Sequence, residues 1–243
     1  MKGVVLAGGL GTRLKPLTAV TNKHLLPIYD QPMILYPVET LRKSGIEEVI
    51  IVCGREHAGH FMRFLGSGKE WGVTLSYALQ DTDNGGIADA LSYAEDFADG
   101  GPVAVVLGDN IFETDMKQFV DSFSGGATAF FKEVSDPQRF GVPVFSEDGK
   151  TLVRIEEKPK NPQSSYAQVG FYLLDSDAFS FIKKLAPSAR GELEMTDVIN
   201  MYLKNGKLNF EILQDAWFDA GTFESLFKAS EFMRKSRSKK YEN

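Results

Sequence analysis

Short β-branched apolar runs alternate with longer amphipathic stretches through the first half of the chain. Gly3 to Leu6, Val49 to Val52, Val73 to Leu79 and Val103 to Leu107 have strand length. Between them, Met33 to Lys43, Glu56 to Leu65 and Ile87 to Phe97 carry apolar residues at helical spacing. Strands that are apolar on both faces need cover on both faces, so this alternation predicts parallel βαβ units with helices on either side. The second half is more β-rich and irregular. Ala127 to Glu133, Val142 to Phe145, Leu152 to Glu156 and Val169 to Leu174 read as strands, separated by turns such as Glu147-Asp148-Gly149-Lys150. Helical patterns return at Phe179 to Leu185, Thr196 to Lys204 and Phe223 to Arg234. No internal repeat, low-complexity linker or composition break separates two independent domains. The expectation is one α/β body: a Rossmann-like mixed, mostly parallel sheet with helices on both faces and a β-rich lobe.

Composition narrows the setting. The 243 residues are 43% hydrophobic, enough to bury one substantial core. No apolar run reaches the ~18 residues that span a bilayer, and no signal peptide opens the chain, so the expectation is a cytoplasmic protein without a membrane partner. The formal net charge of −6 argues against a nucleic-acid binder. The locally basic end, with Arg234, Lys235, Arg237, Lys239 and Lys240, reads as a solvated helix terminus. Cys53, in an apolar run, reads as a buried small hydrophobe. His57 and His60, three apart among charged neighbours, read as a polar helix face, and Asp175 with Asp177 as a helix N-cap region.

The first strand opens into chemistry. Val4-Val5-Leu6-Ala7-Gly8-Gly9-Leu10-Gly11-Thr12-Arg13-Leu14 places three glycines in four positions, then a hydroxyl and a guanidinium. Backbone N–H groups of such a loop approach an anion closely, and Arg13 adds a positive fork at the same rim. A Walker A loop needs Gly-Lys-Ser/Thr, and a Rossmann fingerprint needs G-x-G-x-x-G; neither is present. The following segment, Pro16-Leu17-Thr18 and then Asn22-Lys23-His24-Leu25-Leu26-Pro27-Ile28, is too rich in proline and polar residues for one helix. It reads as a loop that doubles back and presents Lys23 to the glycines. The glycine loop, Gln80 and Asp109 all follow strand ends, where open α/β sheets bind ligands.

These residues resemble the sugar-1-phosphate nucleotidylyltransferases, whose signature is G-G-x-G-T-R-L followed by a lysine-proline segment. Within that family, Lys23-His24-Leu25-Leu26-Pro27-Ile28-Tyr29-Asp30-Gln31-Pro32-Met33 is most similar to the glucose-1-phosphate thymidylyltransferases. Many members carry glutamine where this chain has His24. Leu107-Gly108-Asp109-Asn110 and Trp217-Phe218-Asp219-Ala220-Gly221-Thr222 match the family's L-G-D-N and W-x-D-x-G-T motifs. Asp109 and Asp219 are thereby implied as the ligands of Mg²⁺. The chain stops soon after the Asp219 helix, as in the short form of the family.

The resemblance also implies the remaining site. Arg13 and Lys23 grip a triphosphate, with Leu6, Gly8, Gly9, Gly11 and Thr12 around it. Gln80 faces a pyrimidine base beside Gly85 or Gly86. In Arg154-Ile155-Glu156-Glu157-Lys158-Pro159, Glu157 holds sugar hydroxyls and Lys158 meets the sugar phosphate. Gly141 and Val169 add sugar contacts, and Arg190 is a further phosphate candidate. Residues to about 125 form the nucleotide-binding part and about 126–225 the sugar-binding and metal-completing part, with a C-terminal helix and tail over 226–243.

Joining a sugar phosphate to a nucleotide needs no general base, because the attacking phosphate oxygen is already an anion. The difficulty is gathering negative charge in line, so arginine, lysine and Mg²⁺ should dominate. Arg13, Lys23, Asp109 and Lys158 are the expected catalytic residues. The implied reaction joins dTTP to glucose 1-phosphate, giving dTDP-glucose and pyrophosphate, a step towards deoxysugars such as rhamnose, in a chain that forms homo-oligomers. Two alternatives stand: a pyrophosphorylase using UTP or another sugar phosphate, and a non-catalytic nucleotide-sugar sensor.

Overall fold

The computed structural model describes residues 1–82, 84–149 and 151–241. Asp83, Lys150, Glu242 and Asn243 lie outside the described residues, as do the side chains of residues 238–241. The chain runs β1 (Lys2–Ala7), a small hairpin of β2 (Pro27–Ile28) and β3 (Gln31–Pro32), α1 (Leu35–Lys43), β4 (Glu48–Gly54), α2 (Ala58–Leu65) and β5 (Thr74–Gln80). It continues through α3 (Ile87–Ser92), α4 (Glu95–Ala98), β6 (Val103–Leu107), β7 (Asn110–Phe112), α5 (Lys117–Ser122) and β8 (Ala127–Glu133). Then come β9 (Gly141–Phe145), β10 (Leu152–Glu157), β11 (Tyr166–Leu174), α6 (Asp177–Ile182), α7 (Met195–Lys204), β12 (Leu208–Ile212), β13 (Trp217–Asp219) and α8 (Phe223–Tyr241).

Seven strands form one sheet in the order β12-β8-β11-β6-β1-β4-β5. β1 pairs in parallel with β4 and β6, β4 with β5, and β12 with β8, whereas β11 is antiparallel to both β6 and β8. The sheet is therefore mostly parallel with one reversed strand. Its two faces are separate apolar cores. Val4, Leu6, Val105, Tyr172 and Leu174 meet α3, α6 and α7 on one side. Val5, Ala7, Val106, Val169, Phe171 and Leu173 belong to the cluster that includes α1 and α2 residues on the other. A third cluster, with Ile28, Met33, Tyr36, Ile111, Ala220 and Ala229, lies under α8. Among the described residues, no helix is long and apolar enough to cross a membrane.

Two differences from the sequence pattern bear on the site. The helix expected over Ile87 to Phe97 breaks at Ala94, whose φ of −97° and ψ of 2° leave the helix and whose N–H tightens onto the Leu91 carbonyl. Ala94 is fully buried there, so packing overrides propensity. The short antiparallel pair of β7 and β13 was not foreseen. Its register sets Asp219 opposite Asn110, and Ala220 N–H donates to the Asp109 carbonyl at 2.9 Å. Two positions 110 apart in sequence are thus tied together by backbone.

Candidate active site

The sheet's strand order reverses direction of growth between β1 and β6, and a cleft of about 370 Å³ opens beyond their carboxyl ends. Leu6, Gly8, Gly9, Arg13, Lys23, Gln80, Gly85, Gly86 and Asp109 line one part of it. Gly141, Glu157, Lys158, Arg190 and Asp219 line the rest. Gly8 brings its backbone close to Gln80, and a Cβ there would push the Gln80 amide out of its present position. Gly11 adopts φ 63° and starts the 3₁₀ turn Thr12–Leu14. A Cβ on it would lie 2.9 Å from Lys23 Cβ.

The loop after β1 doubles back through three 3₁₀ turns. The last, Lys23–Leu25, is capped by Asn22, whose side chain accepts from His24 N–H. His24 is 2% exposed and its Nδ1 lies 2.7 Å from Asn22 Oδ1. Burial, with the Lys23 charge beside it, pushes the His24 imidazole down to about 3, so the ring stays neutral and acts as packing. Lys23 is left free to reach inward, and its Nζ pairs with Asp109 Oδ2 at 2.5 Å.

Asp109 and Asp219 face each other electrostatically. Burial and the Asp109 charge together raise the Asp219 carboxyl well above the usual carboxylate range. Burial acts the same way on Asp109, but Lys23 overrides it and holds that carboxyl well below the range. Arg139 Nη2 donates to Asp219 Oδ2 at 3.1 Å and Nη1 to Asp136 at 2.7 Å. Asn110 organises the centre: its Nδ2 donates to Asp109 Oδ1 at 3.0 Å. Its Oδ1 accepts from Gly170 N–H at 2.9 Å and Trp217 Nε1 at 2.7 Å.

Two crowded carboxylates, one resisting ionisation, suit a divalent cation that neutralises both. Among the described residues no group of three or more His, Cys, Asp or Glu side chains forms a metal cage. A hard oxygen-seeking cation such as Mg²⁺ needs none, because it takes one or two carboxylates and completes its shell with phosphate oxygens and water. The donor set therefore fits.

At the other end, Lys158 closes β10 with φ 43°, a left-handed conformation that costs a non-glycine residue about 1 kcal/mol or more. Its Nζ lies 3.2 Å from Glu157 Oε1, and Arg190 Nη2 lies 3.7 Å from the same oxygen. Arg190 is braced by Glu192 at 2.6 Å and by Glu194, through Nη2 at 3.0 Å and Nε at 3.1 Å. On the first rim, Gln80 Nε2 donates to Asp89 Oδ2 at 2.8 Å, and Thr82 Oγ1 donates to the same oxygen.

Three of the expected residues lie apart from the others. Gly11 and Thr12 sit at the outer edge of the glycine rim, where Thr12 is exposed and Gly11 packs against Lys23. Val169 is fully buried with Phe171 in the core on the opposite face, because β11 alternates. Gln168, Gly170 and Tyr172 are the cleft positions of that strand. Sequence reasoning also passed over Arg139, Asn110, Gln168, Glu194 and Thr196. Asn110 and Arg139 stand beside named motif residues, and period-two alternation puts Gln168 on the face opposite Val169.

The Nucleotidyl transferase family profile matches residues 2–236. A glucose-1-phosphate thymidylyltransferase of Neisseria meningitidis is 44% identical over 240 residues, covering 96% of this chain and 83% of the relative. One of Mycobacterium tuberculosis is 44% identical over 241 residues, covering 96% and 82%. A solved Bacillus anthracis structure assigned as a glucose-1-phosphate thymidylyltransferase, in complex with a sucrose, superposes with a TM-score of 0.91 at 49% identity, covering 96% and 95%. A UDP-glucose pyrophosphorylase complexed with UDP-glucose gives a TM-score of 0.83 at 25% identity, covering 97% and 99%. With this cleft on this sheet, a family profile matching residues 2–236 and relatives matched over 96% of its length, the chain belongs to the nucleotidyl transferase family.

Proposed function

We propose that this chain transfers a thymidylyl group from dTTP to glucose 1-phosphate, giving dTDP-glucose and pyrophosphate, with Mg²⁺ as the cation. The observation that carries this reading is the position of the Asp109–Asp219 pair, in one cleft with the Arg13–Lys23 rim and the Glu157–Lys158–Arg190 wall. An acidic pair between two anion sites suits the meeting of two phosphates. The likeness to thymidylyltransferases from several bacteria supports the choice of substrates.

A phosphate oxygen of glucose 1-phosphate attacks the α-phosphorus, and the bond to the bridging oxygen of the β-phosphate breaks. That electron pair departs with pyrophosphate. Lys158 and Arg190 hold the attacking phosphate, while Glu157 accepts from sugar hydroxyls. Arg13 and Lys23 offset charge on the triphosphate as the α-phosphorus is attacked. The Gly8–Gly9 backbone admits the phosphates closely. Gln80 presents an amide that donates and accepts, matching the O4 and N3–H of a pyrimidine edge, beside Gly85 and Gly86. When bound by Asp109 and Asp219, Mg²⁺ supplies neutralising charge along the reacting phosphates. The nucleotide part, residues to about 125, and the sugar part, about 126–225, meet at this line.

Pyrophosphate release from purified protein with Mg²⁺ and glucose 1-phosphate, across dTTP, UTP, CTP, ATP and GTP, tests the reading. Release led by dTTP is expected. A UTP lead would keep the mechanism and overturn the base, in the manner of the UDP-glucose pyrophosphorylase; silence with every nucleotide would contradict transferase activity on this sugar phosphate.

A further inference from the structure

The sugar-side wall holds a buried amide with no partner. Gln168 is 6% exposed, its Nε2 makes no hydrogen bond, and its side chain lines the cleft with Glu157 and Lys158. Buried polar groups are almost always paired, so an unpaired one in a ligand cleft marks a contact that a ligand completes.

The fold aims this amide deliberately. β11 runs against its neighbours, so its first residues arrive at the carboxyl rim of the parallel strands. Between Gln168 and Tyr172 the strand is irregular: β8 moves only from Phe131 to Ala129 over the same interval. Such irregularities re-aim side chains beside binding sites.

The neighbours identify the missing partner. Thr196 Oγ1 donates to Glu157 Oε2 at 2.5 Å and lies 3.4 Å from Gln168 Oε1. A Cβ on Gly141 would stand 2.7 Å from that amide oxygen and 3.0 Å from the threonine hydroxyl. Gly141 backbone, Thr196, Glu157 and Gln168 thus meet at one point of the wall. Threonine has one proton, and the carboxylate at the shorter distance takes it. The amide oxygen and nitrogen exchange places by rotation of the terminal torsion. In either setting one end rests towards Thr196 and the other is unpaired. A hydroxyl both donates and accepts, so it satisfies either end, whereas a methylene or fluorine does not satisfy both.

We propose that Gln168 reads one hydroxyl of the sugar phosphate and so sets this chain's preference among sugar 1-phosphates. The proposal rests on the reading of the Glu157–Lys158 wall as a sugar 1-phosphate site. Gln168 acts by direct contact, and Thr196 positions both it and Glu157.

The test is steady-state kinetics of the full chain and of Gln168→Met, an apolar residue of similar length, at saturating dTTP. The sugar substrates are glucose 1-phosphate and its 2-, 3-, 4- and 6-deoxy analogues. Removing one paired hydroxyl should cost the unaltered chain about tenfold or more in kcat/KM on one analogue. Gln168→Met should lose a similar factor on glucose 1-phosphate, mainly through KM, and lose nothing further on that one analogue. The KM for dTTP should stay unchanged, and Tm should hold or rise, because an unpaired buried amide has been removed. A merely structural glutamine would instead lower Tm or depress all the sugars alike, and either result overturns the proposal. Equal kinetics of the two proteins on every sugar overturns it as well. If Gln168→Met does not fold, Gln168→Leu and the analogue series on the unaltered chain decide it; no single analogue standing out is the negative result. Inactivity of the unaltered chain on all five sugars would overturn the sugar 1-phosphate reading itself, and the proposal with it.

Discussion

Lys23 Nζ lies 2.5 Å from Asp109 Oδ2, an ion pair that joins the loop after β1 to the carboxyl end of β6. Without substrates the ammonium stands where a cation bound to Asp109 would also be drawn. Lys23→Gln should therefore tighten nucleotide-free binding of Mn²⁺, used as a probe. The same change should lower kcat/KM for dTTP by about 10²-fold or more, because a transition-state cation is lost. Calorimetric titration and initial rates check both; weaker Mn²⁺ binding in the variant would reject the competition.

Asp219 is the carboxyl whose ionisation is unfavourable, through burial and the Asp109 charge. A raised folded-state pKa means that the ionised group costs stability at neutral pH, and the cost fades as pH falls through that raised pKa. Asp219→Asn should raise the metal-free Tm at neutral pH. The advantage should shrink as pH falls towards the ordinary carboxylate range, and the stabilisation given by added Mg²⁺ and nucleotide should be lost. Thermal melts from pH 8 to pH 5 measure this, and an advantage that grows on acidification would contradict the assignment.

Lys158 combines a left-handed backbone with a cation in the cleft. Lys158→Gly should relieve the backbone and hold or raise Tm, while raising the KM for glucose 1-phosphate by about tenfold or more, the value of a charged hydrogen bond. Lys158→Ala should raise that KM similarly and leave the KM for dTTP nearly unchanged. The opposite ranking of the two KM values would reject its role at the sugar phosphate.

Asn110 is 2% exposed and serves Asp109, Gly170 and Trp217 at once. Asn110→Ala leaves two buried donors unpaired and should cost about 2–4 kcal/mol of stability. It should also lower kcat by freeing the Asp109 carboxyl. Denaturant unfolding with turnover measures both, and an intact kcat would limit Asn110 to a packing role.

The parallel core was legible because it needs little beyond local pattern. β1, β4 and β6 are buried apolar runs closed by glycine or aspartate, and β5 is a half-buried edge strand closed by Gln80. The glycine rim, Lys23 and the acidic pair were legible as motifs. Their meeting was not, since Asp219 reaches Asp109 through the three-residue strands β7 and β13, too short to leave a pattern. β12 was missed for a related reason: Leu208, Phe210 and Ile212 alternate with Asn209 and Glu211 at an edge, with one face apolar. Val169 was placed one residue out of phase, and in a strand one residue is the difference between core and cleft. The Arg190–Glu194 and Thr196–Glu157 contacts join residues whose individual motifs say nothing of partners.

The most direct test of the account is a ³¹P NMR time course of the protein with dTTP, glucose 1-phosphate and Mg²⁺. Both substrates should fall together while dTDP-glucose and pyrophosphate rise in equal amounts, with no dTMP. Nucleotide hydrolysis to dTMP without a sugar product, or static spectra, would contradict it.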